Sequence, residues 1–417
     1  MLCVPSNFVG KLPFVIALAA ICLLGSFTAA RATAQRTAAA SPHPHSTAEK
    51  HCPPQREIDA ALGKASALMA QASYRDAAEA LRPLSTTRCD ARVSLLLAAA
   101  MEGQGDLATA EQTLKVAHSA WPDNNSVSTS LAREYLNSHQ IDKAVQALEG
   151  FHPTATTPQQ EMELAVMALI AGQRLASAQS VAAVNYKSYP SLHSMLLLAN
   201  ALQLEGKYKD VIAMLEEKRS TYSDSPAFLI TLAESEYDAV LYDTARADLE
   251  HAVALDHESY QGHYLLGNVL FKAGDIEGAV SQYRVAIGLS PDQPRTYYQL
   301  AVALQSKQDK DGAQKELINA LSVDNHYAPA HVEMGRILIS QNQLSDAVAH
   351  LNLAIKENPN SEQGYFLLAR AYAQLGDKEK SEEMAKRLVA VRSANWRTSE
   401  NKEQNQPQAT APAETPK

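Results

Sequence analysis

Residues 262–291 read GHYLLGNVLFKAGDIEGAVSQYRVAIGLSP, and residues 330–359 read AHVEMGRILISQNQLSDAVAHLNLAIKENP. Laid over each other, they share a plan. Leu266-Gly267 answers Met334-Gly335, and Ala279, Tyr283, Ala286 and Pro291 answer Ala347, Leu351, Ala354 and Pro359. Within each half of a stretch the apolar residues recur three and four apart, which is the spacing of one helix face. Between the halves stands Gly274-Asp275. Glycine takes the left-handed conformation that ends a helix, and aspartate caps the helix that follows. Each stretch is therefore expected to form two antiparallel helices joined by a tight turn. The offset between the stretches is 68 residues, two periods of 34.

Carried outward, this frame predicts repeats starting at Ile58, Ala91, Asn125, Pro158, Leu192, Pro226, Tyr260, Pro294, Ala328 and Glu362. The eighth residue of all ten is alanine or glycine, from Ala65 through Ala165, Gly267 and Gly335 to Ala369. The twentieth is small in nine, Ser177 among them, and Val211 is the exception. Short side chains at these two places let the helices of a pair cross closely while larger neighbours fill the space around them. One pair cannot bury both faces, so the pairs must stack. The predicted fold is all-α, an α-solenoid (superhelix) of about ten helix-turn-helix repeats.

The pattern resembles the tetratricopeptide repeat (TPR) family across residues 58–392. No repeat has the family's tryptophan at its fourth position, where Tyr297, Tyr365 and His263 stand instead. The resemblance implies a superhelix whose first helices line a concave groove, with ligand contacts from the second, fifth, ninth, twelfth and thirteenth positions of the first helix. Placed residue by residue, it implies a peptide-binding groove from Tyr264, Asn268, Phe271, Arg295, Tyr298, Gln305, Arg336, Phe366 and Arg370. Gln261 and Lys272 join them, and earlier repeats add Arg133, His193 and Asn200. Aromatic faces suit apolar side chains, Asn268 could bond both a backbone N–H and a C=O, and Arg336 and Arg370 suit acidic groups. The family's clamp for a chain-terminal carboxylate needs lysines and asparagines at fixed places, and that full set is not found.

Composition narrows the function classes. The 417 residues are 46% hydrophobic but only 6% aromatic, with a formal charge of −9. An acidic chain is a poor non-specific binder of nucleic acid and lacks a polybasic membrane-surface mode. There is no H-E-x-x-H, G-x-S-x-G or phosphate-binding glycine loop, and the repeats leave no room for a separate catalytic domain. The chain is thus expected not to be an enzyme and to need no cofactor. His43, His45, His51 and Cys52 match no standard metal spacing and lie in a Pro-rich stretch, so no metal is expected.

The start of the chain has its own logic. Lys11 precedes an uncharged apolar run from Leu12 to Phe27, followed by Thr28-Ala29-Ala30-Arg31-Ala32-Thr33-Ala34. That order is expected of a secretory signal cut after Ala30, Ala32 or Ala34. An uncleaved inner-membrane anchor is the alternative. The expected organisation is a signal peptide at 1–34, a disordered linker at 35–57, the array at 58–392 and a disordered tail at 393–417. Cleavage removes Cys3 and Cys22 and leaves Cys52 and Cys89. Two cysteines in an exported chain suggest one disulfide. Cys52 precedes the first helix and Cys89 follows the second, and an antiparallel pair brings those ends together. The expected function is an exported scaffold or adaptor, in a bacterial periplasm or secreted, that holds a protein or peptide segment in its groove. The alternative is a structural subunit of a cell-envelope assembly or secretion complex, docking through its convex face or ends.

Overall fold

A computed structural model describes residues 52–85 and 89–404. The expected signal peptide, most of the linker, His43, His45, His51 and the tail beyond Gln404 lie outside the described residues. Among those described there are 21 α-helices and no strand. They divide into two compact units, with the boundary between Tyr222 and Ser223.

The first unit holds five helix pairs: α1 (Gln55–Ala70) and α2 (Tyr74–Ser85), α3 (Ala91–Gly103) and α4 (Leu107–Ala120), α5 (Asn125–Asn137) and α6 (Ile141–Ala147), α7 (Gln159–Ala171) and α8 (Leu175–Ser188), α9 (Leu192–Leu204) and α10 (Tyr208–Glu216), with α11 (Arg219–Tyr222) closing it. The second unit holds another five: α12 (Pro226–Asp238) and α13 (Tyr242–Leu255), α14 (Tyr260–Lys272) and α15 (Ile276–Leu289), α16 (Pro294–Ser306) and α17 (Lys310–Val323), α18 (Ala328–Ser340) and α19 (Leu344–Glu357), α20 (Glu362–Leu375) and α21 (Lys378–Gln404). Within each unit consecutive helices pack on one another, from α1 to α10 and from α12 to α21, and first helices of successive pairs also touch, as α14 does α16 and α18 does α20. This is the α-solenoid arrangement of helix-turn-helix repeats.

The small residues sit where the helices cross. Ala98, Ala132, Ala199, Ala233 and Ala301 are buried at the eighth position, as are Ala110, Ala144, Ala245, Ala313 and Ala347 at the twentieth. Facing the eighth position is the twenty-fourth, and the two trade volume. A Cβ on Gly267 would lie 2.6 Å from the Tyr283 ring, and one on Gly335 2.5 Å from Leu351. The fourth repeat makes the reverse choice and corrects the sequence frame. Its first helix begins at Gln159, not Pro158. Its eighth residue is then Val166 rather than Ala165, its twentieth Ala178 rather than Ser177, and its twenty-fourth Ala182. All three are buried, so a larger side chain on one helix is met by a smaller one on the other.

The turns have one geometry whatever residue fills them. Gly105, Gly206, Gly274 and Gly376 have φ between 79° and 87°. Ala72, His139, Gln173, Val240, Gln308 and Asn342 hold the same turn position at φ between 57° and 66°. Gly172, read from the sequence as one of the turn glycines, has φ −86°, because the frame of its repeat is shifted by one. Asp106, Asp275 and Asp309 cap the second helices by accepting from the backbone N–H groups of Thr109, Gly278 and Gly312.

The ends differ from the expected boundaries. The first helix starts at Gln55, three residues before Ile58. The last helix has 27 residues and runs to Gln404, past the expected end at 392. Its extension is tied back: Arg392 and Asn395 both donate to the Glu362 carboxylate, at 3.2 and 2.9 Å. Cys52 and Cys89 form a disulfide with Cα atoms 5.7 Å apart, joining the residues before α1 to those after α2.

Candidate functional site

The nine residues assigned to the groove all lie on first helices of the second unit, α14, α16, α18 and α20, where contacts link neighbouring first helices. The Arg295 guanidinium on α16 stands 4.6 Å from the Tyr264 ring centre and 5.5 Å from that of Tyr260, both on α14. Its Nε donates to the Tyr260 hydroxyl at 3.0 Å, and that hydroxyl shares a 2.8 Å bond with Thr296. Tyr260 and Tyr264 stack at 5.9 Å. A cation over aromatic faces is favourable, more so when partly desolvated. Burial works against the Arg295 charge, but the Tyr260 and Tyr264 hydroxyls outweigh it, so its pKa rises above the ordinary value. Tyr298 on α16 meets Tyr327 edge-on at 5.9 Å. Burial first, then the Glu333 charge, pushes the Tyr298 hydroxyl up to about 12.

Two residues do different work from that first read. Arg336 is not waiting for an acidic ligand: its Nε donates to Glu333 Oε2 at 2.9 Å. Gln305 and Gln363 also donate to Glu333, at 3.4 and 3.5 Å from α16 and α20. Glu333 is a buried carboxylate held by three first helices, and the groove positions of the frame omit it because it is the sixth residue of its repeat. Asn268 is buried, and its Oδ1 accepts from the Tyr283 hydroxyl at 2.8 Å. Phe366 and Arg370 on α20 are exposed, with no ion pair among the described residues, and Phe366 keeps 54% of its surface.

A recess of about 190 Å³ opens beside Asn268, lined by Tyr237, Asn268, Phe271, Lys272, Tyr283, Gln299 and Val302. It gathers three groove candidates, Asn268, Phe271 and Lys272, with Tyr237 and Val302, which stand at the twelfth and ninth positions of their repeats, and with Tyr283 and Gln299, which the frame did not offer. Burial and the neighbouring Tyr242 push the Tyr237 hydroxyl up to about 12, so it stays protonated. A wider recess of about 320 Å³ lies in the first unit among Asp142, Val145, Gln146, Glu149, Gly172, Gln173 and Arg174. It has no aromatic wall.

Two of the three earlier candidates, Arg133 and His193, are engaged within the chain. Arg133 bonds Glu102 at 3.0 Å, and His193 meets Glu163 at 3.2 Å. That contact with Glu163 raises the His193 pKa. Beside Arg133, burial and then the Glu102 charge push Glu134 up to about 7. Among the described residues no group of three or more His, Cys, Asp or Glu side chains is placed to hold a metal ion. No described helix is long and apolar enough to cross a membrane.

The stacked helix pairs of each unit define a helical-repeat solenoid. The chain belongs to the tetratricopeptide repeat family. Family profiles described as TPR repeat or tetratricopeptide repeat match residues 62–125, 267–308, 308–365 and 362–395. Among curated proteins, it is 25% identical over 136 residues to DnaJ homolog subfamily C member 3 of Mus musculus, covering 33% of this chain and 25% of that one. It is 32% identical over 85 residues to the TPR repeat-containing thioredoxin TTL4 of Arabidopsis thaliana, covering 20% of this chain and 12% of that one. The chain thus spans a quarter or less of the length of these relatives. Among solved structures it is similar to MamA, at 20% identity and TM-score 0.36 over 39% of this chain and 95% of that one. It is also similar to YrrB, described as a TPR protein with an unusual peptide-binding site, at 18% identity and TM-score 0.35 over 42% of this chain and 91% of that one.

Proposed function

We propose that the chain is an exported protein-interaction scaffold that holds an extended segment of a partner on the first-helix face of α14, α16, α18 and α20. The observation that carries this reading is the Arg295 cluster with its neighbours: aromatic faces, guanidinium groups and amides in one continuous row. Such a row offers an extended chain apolar contacts for alternate side chains and polar partners for its backbone. Export is supported by the apolar run after Lys11 and by the Cys52–Cys89 bridge, since disulfides persist in oxidising compartments. A second reading, docking through the second helices, is favoured by Leu255, Leu289 and Val323. These end α13, α15 and α17 at the same repeat position and are all exposed.

The experiment is capture of partners by the full chain from an envelope extract, read by mass spectrometry. The Tyr264→Ala, Asn268→Ala double variant should lose the partner at unchanged helicity. Retention by that variant, with loss in Leu289→Glu, Val323→Glu, would replace the first reading by the second.

A further inference from the structure

In the second unit one contact recurs wherever a repeat meets the next. The twenty-eighth residue of one repeat packs on the third of its successor: a Cβ on Gly262 would lie 3.0 Å from Val253, and one on Gly364 2.9 Å from Ile355. Gly262, Thr296, Ala330 and Gly364 at the third position are short and buried. The aliphatic residues that precede them, Val253, Ile287, Leu321 and Ile355, are half-buried. The tenth repeat keeps the aliphatic residue, but no described helix follows α21 to cover it. Val389 is 64% exposed, and Trp396, two turns further along the same side, is 67% exposed. A repeat that ends an array in water ordinarily carries a polar outer face. The first repeat offers the counterpart. Its third residue, Ala60, is short and exposed, and Gly63 and Ala67 are exposed on the same side of α1, with no described helix before it.

We propose that α21 of one copy of this chain seats on α1 of a second copy, head to tail, with Val389 against Ala60. Successive helices of the array run antiparallel, so this one pairing sets the rest of the register. Lys64 falls level with Ala385, one turn from Glu382, and Glu57 falls level with Arg392. Neither Lys64 nor Glu382 has an ion pair among the described residues. Trp396 falls level with Pro53, and Lys386 with Gly63, whose missing side chain leaves room for the lysine stem. The lengths of the two terminal helices fit the same contact. Inside the array a turn must join each second helix to the next first helix, and it stops both. Between two copies no turn is needed, and here α1 starts early, at Gln55, while α21 runs on to Gln404. Both extensions lie at the same end of the contact, side by side. One helix resting on another is a small area beside that of a stable dimer, so the association is weak and depends on concentration.

Sedimentation velocity of the full chain over a concentration series tests this. The mean mass should rise with concentration, whether the copies close into a ring or form an open chain. Ala60→Glu and Val389→Glu each spoil one of the two faces at an exposed position. Each should weaken association at least about tenfold at unchanged helicity. Mixed in equal amounts, the two variants should form a dimer and nothing larger, because the first keeps an intact α21 and the second an intact α1. Lys64→Glu should weaken association, and adding Glu382→Lys to it should restore it. A wild type that stays monomeric throughout overturns the proposal. So does a dimer formed by Ala60→Glu alone and lost in Val389→Glu, which would set two copies of α21 on each other. Equal growth in the wild type and both variants would place the contact elsewhere and overturn it as well.

Discussion

Nδ1 of His331 and Nδ1 of His350 lie 2.9 Å apart between α18 and α19. His331 Nε2 is 3.0 Å from the Asn325 carbonyl, which can only accept, so that nitrogen carries a proton. In the neutral ring Nδ1 is then an acceptor, and His350 must donate to it. The seventh repeat has the same geometry with a different partner. His263 contacts the His257 carbonyl through Nε2, and Gln282 through Nδ1 at 2.6 Å. A glutamine amide can turn to suit either protonation state of its partner; a second histidine cannot.

The pair therefore makes the ninth repeat sensitive to acid. Burial first, then His331, holds the His350 pKa below its ordinary value, while Asp346 acts weakly the other way; His326 and Glu357 form a separate ion pair nearby. A histidine whose folded pKa is depressed binds protons more readily when unfolded, so acid favours unfolding. The contribution is present above the unfolded value near 6.5 and is lost as the pH falls below it. Between about pH 7.5 and about pH 5.5 the Tm should fall more in the wild type than in His350→Gln, which copies the pair of the seventh repeat. Equal acid losses in thermal melts of the two proteins would refute the histidine pair as the cause.

Gly267 and Tyr283 should behave as one device. Gly267→Ala places a methyl 2.6 Å from the ring and should destabilise by about 1–3 kcal/mol. Adding Tyr283→Leu recreates the alanine–leucine pair of Ala233 with Leu249 and of Ala301 with Leu317, and should recover most of the loss. Urea titrations of the four proteins in a double-mutant cycle measure the coupling. Additive losses would mean the two positions do not share the crossing.

Val240 holds a left-handed turn position, φ 66°, with a β-branched side chain that is 65% exposed. Four other repeats place glycine there. A left-handed conformation costs an ordinary L-residue roughly 1–2 kcal/mol, and glycine returns part of that through the entropy of the unfolded chain. Val240→Gly should therefore raise stability by about 1 kcal/mol, read as a higher urea midpoint at unchanged slope. A lowered midpoint would show that Val240 makes contacts worth more than its backbone strain.

The Cys52–Cys89 bridge closes a loop with a sequence separation of 37. On the chain-entropy account a loop of this size contributes about 3–4 kcal/mol, with smaller values common. Reduction, or Cys52→Ser with Cys89→Ser, should lower the stability of α1 and α2 first, seen as faster amide exchange there than in α14 to α19. Uniform exchange rates before and after reduction would remove the bridge from the stability of the first repeat.

The period of 34, the pairing of helices and the small residues at their crossings were all legible in the sequence of this protein, because they rest on local spacing. Residues three and four apart share a helix face wherever the chain goes, and a crossing tolerates only short side chains. What the tertiary structure alone decided was which polar groups remain available. Arg336 and Asn268 read alike as groove residues, yet Glu333 neutralises one and the Tyr283 hydroxyl engages the other. Those outcomes depend on where side chains from different helices meet to within a few tenths of an ångström, and no spacing rule encodes that. The frame of the fourth repeat also waited for the structure, since Ala165 and Val166 are both apolar and both buried. Its true start shows only in how Val166 and Ala182 share volume across the crossing. The same holds at the turns: Val240, His139 and Gln308 adopt the conformation of glycine because the helices on either side, packed against their neighbours, leave the chain no other way round.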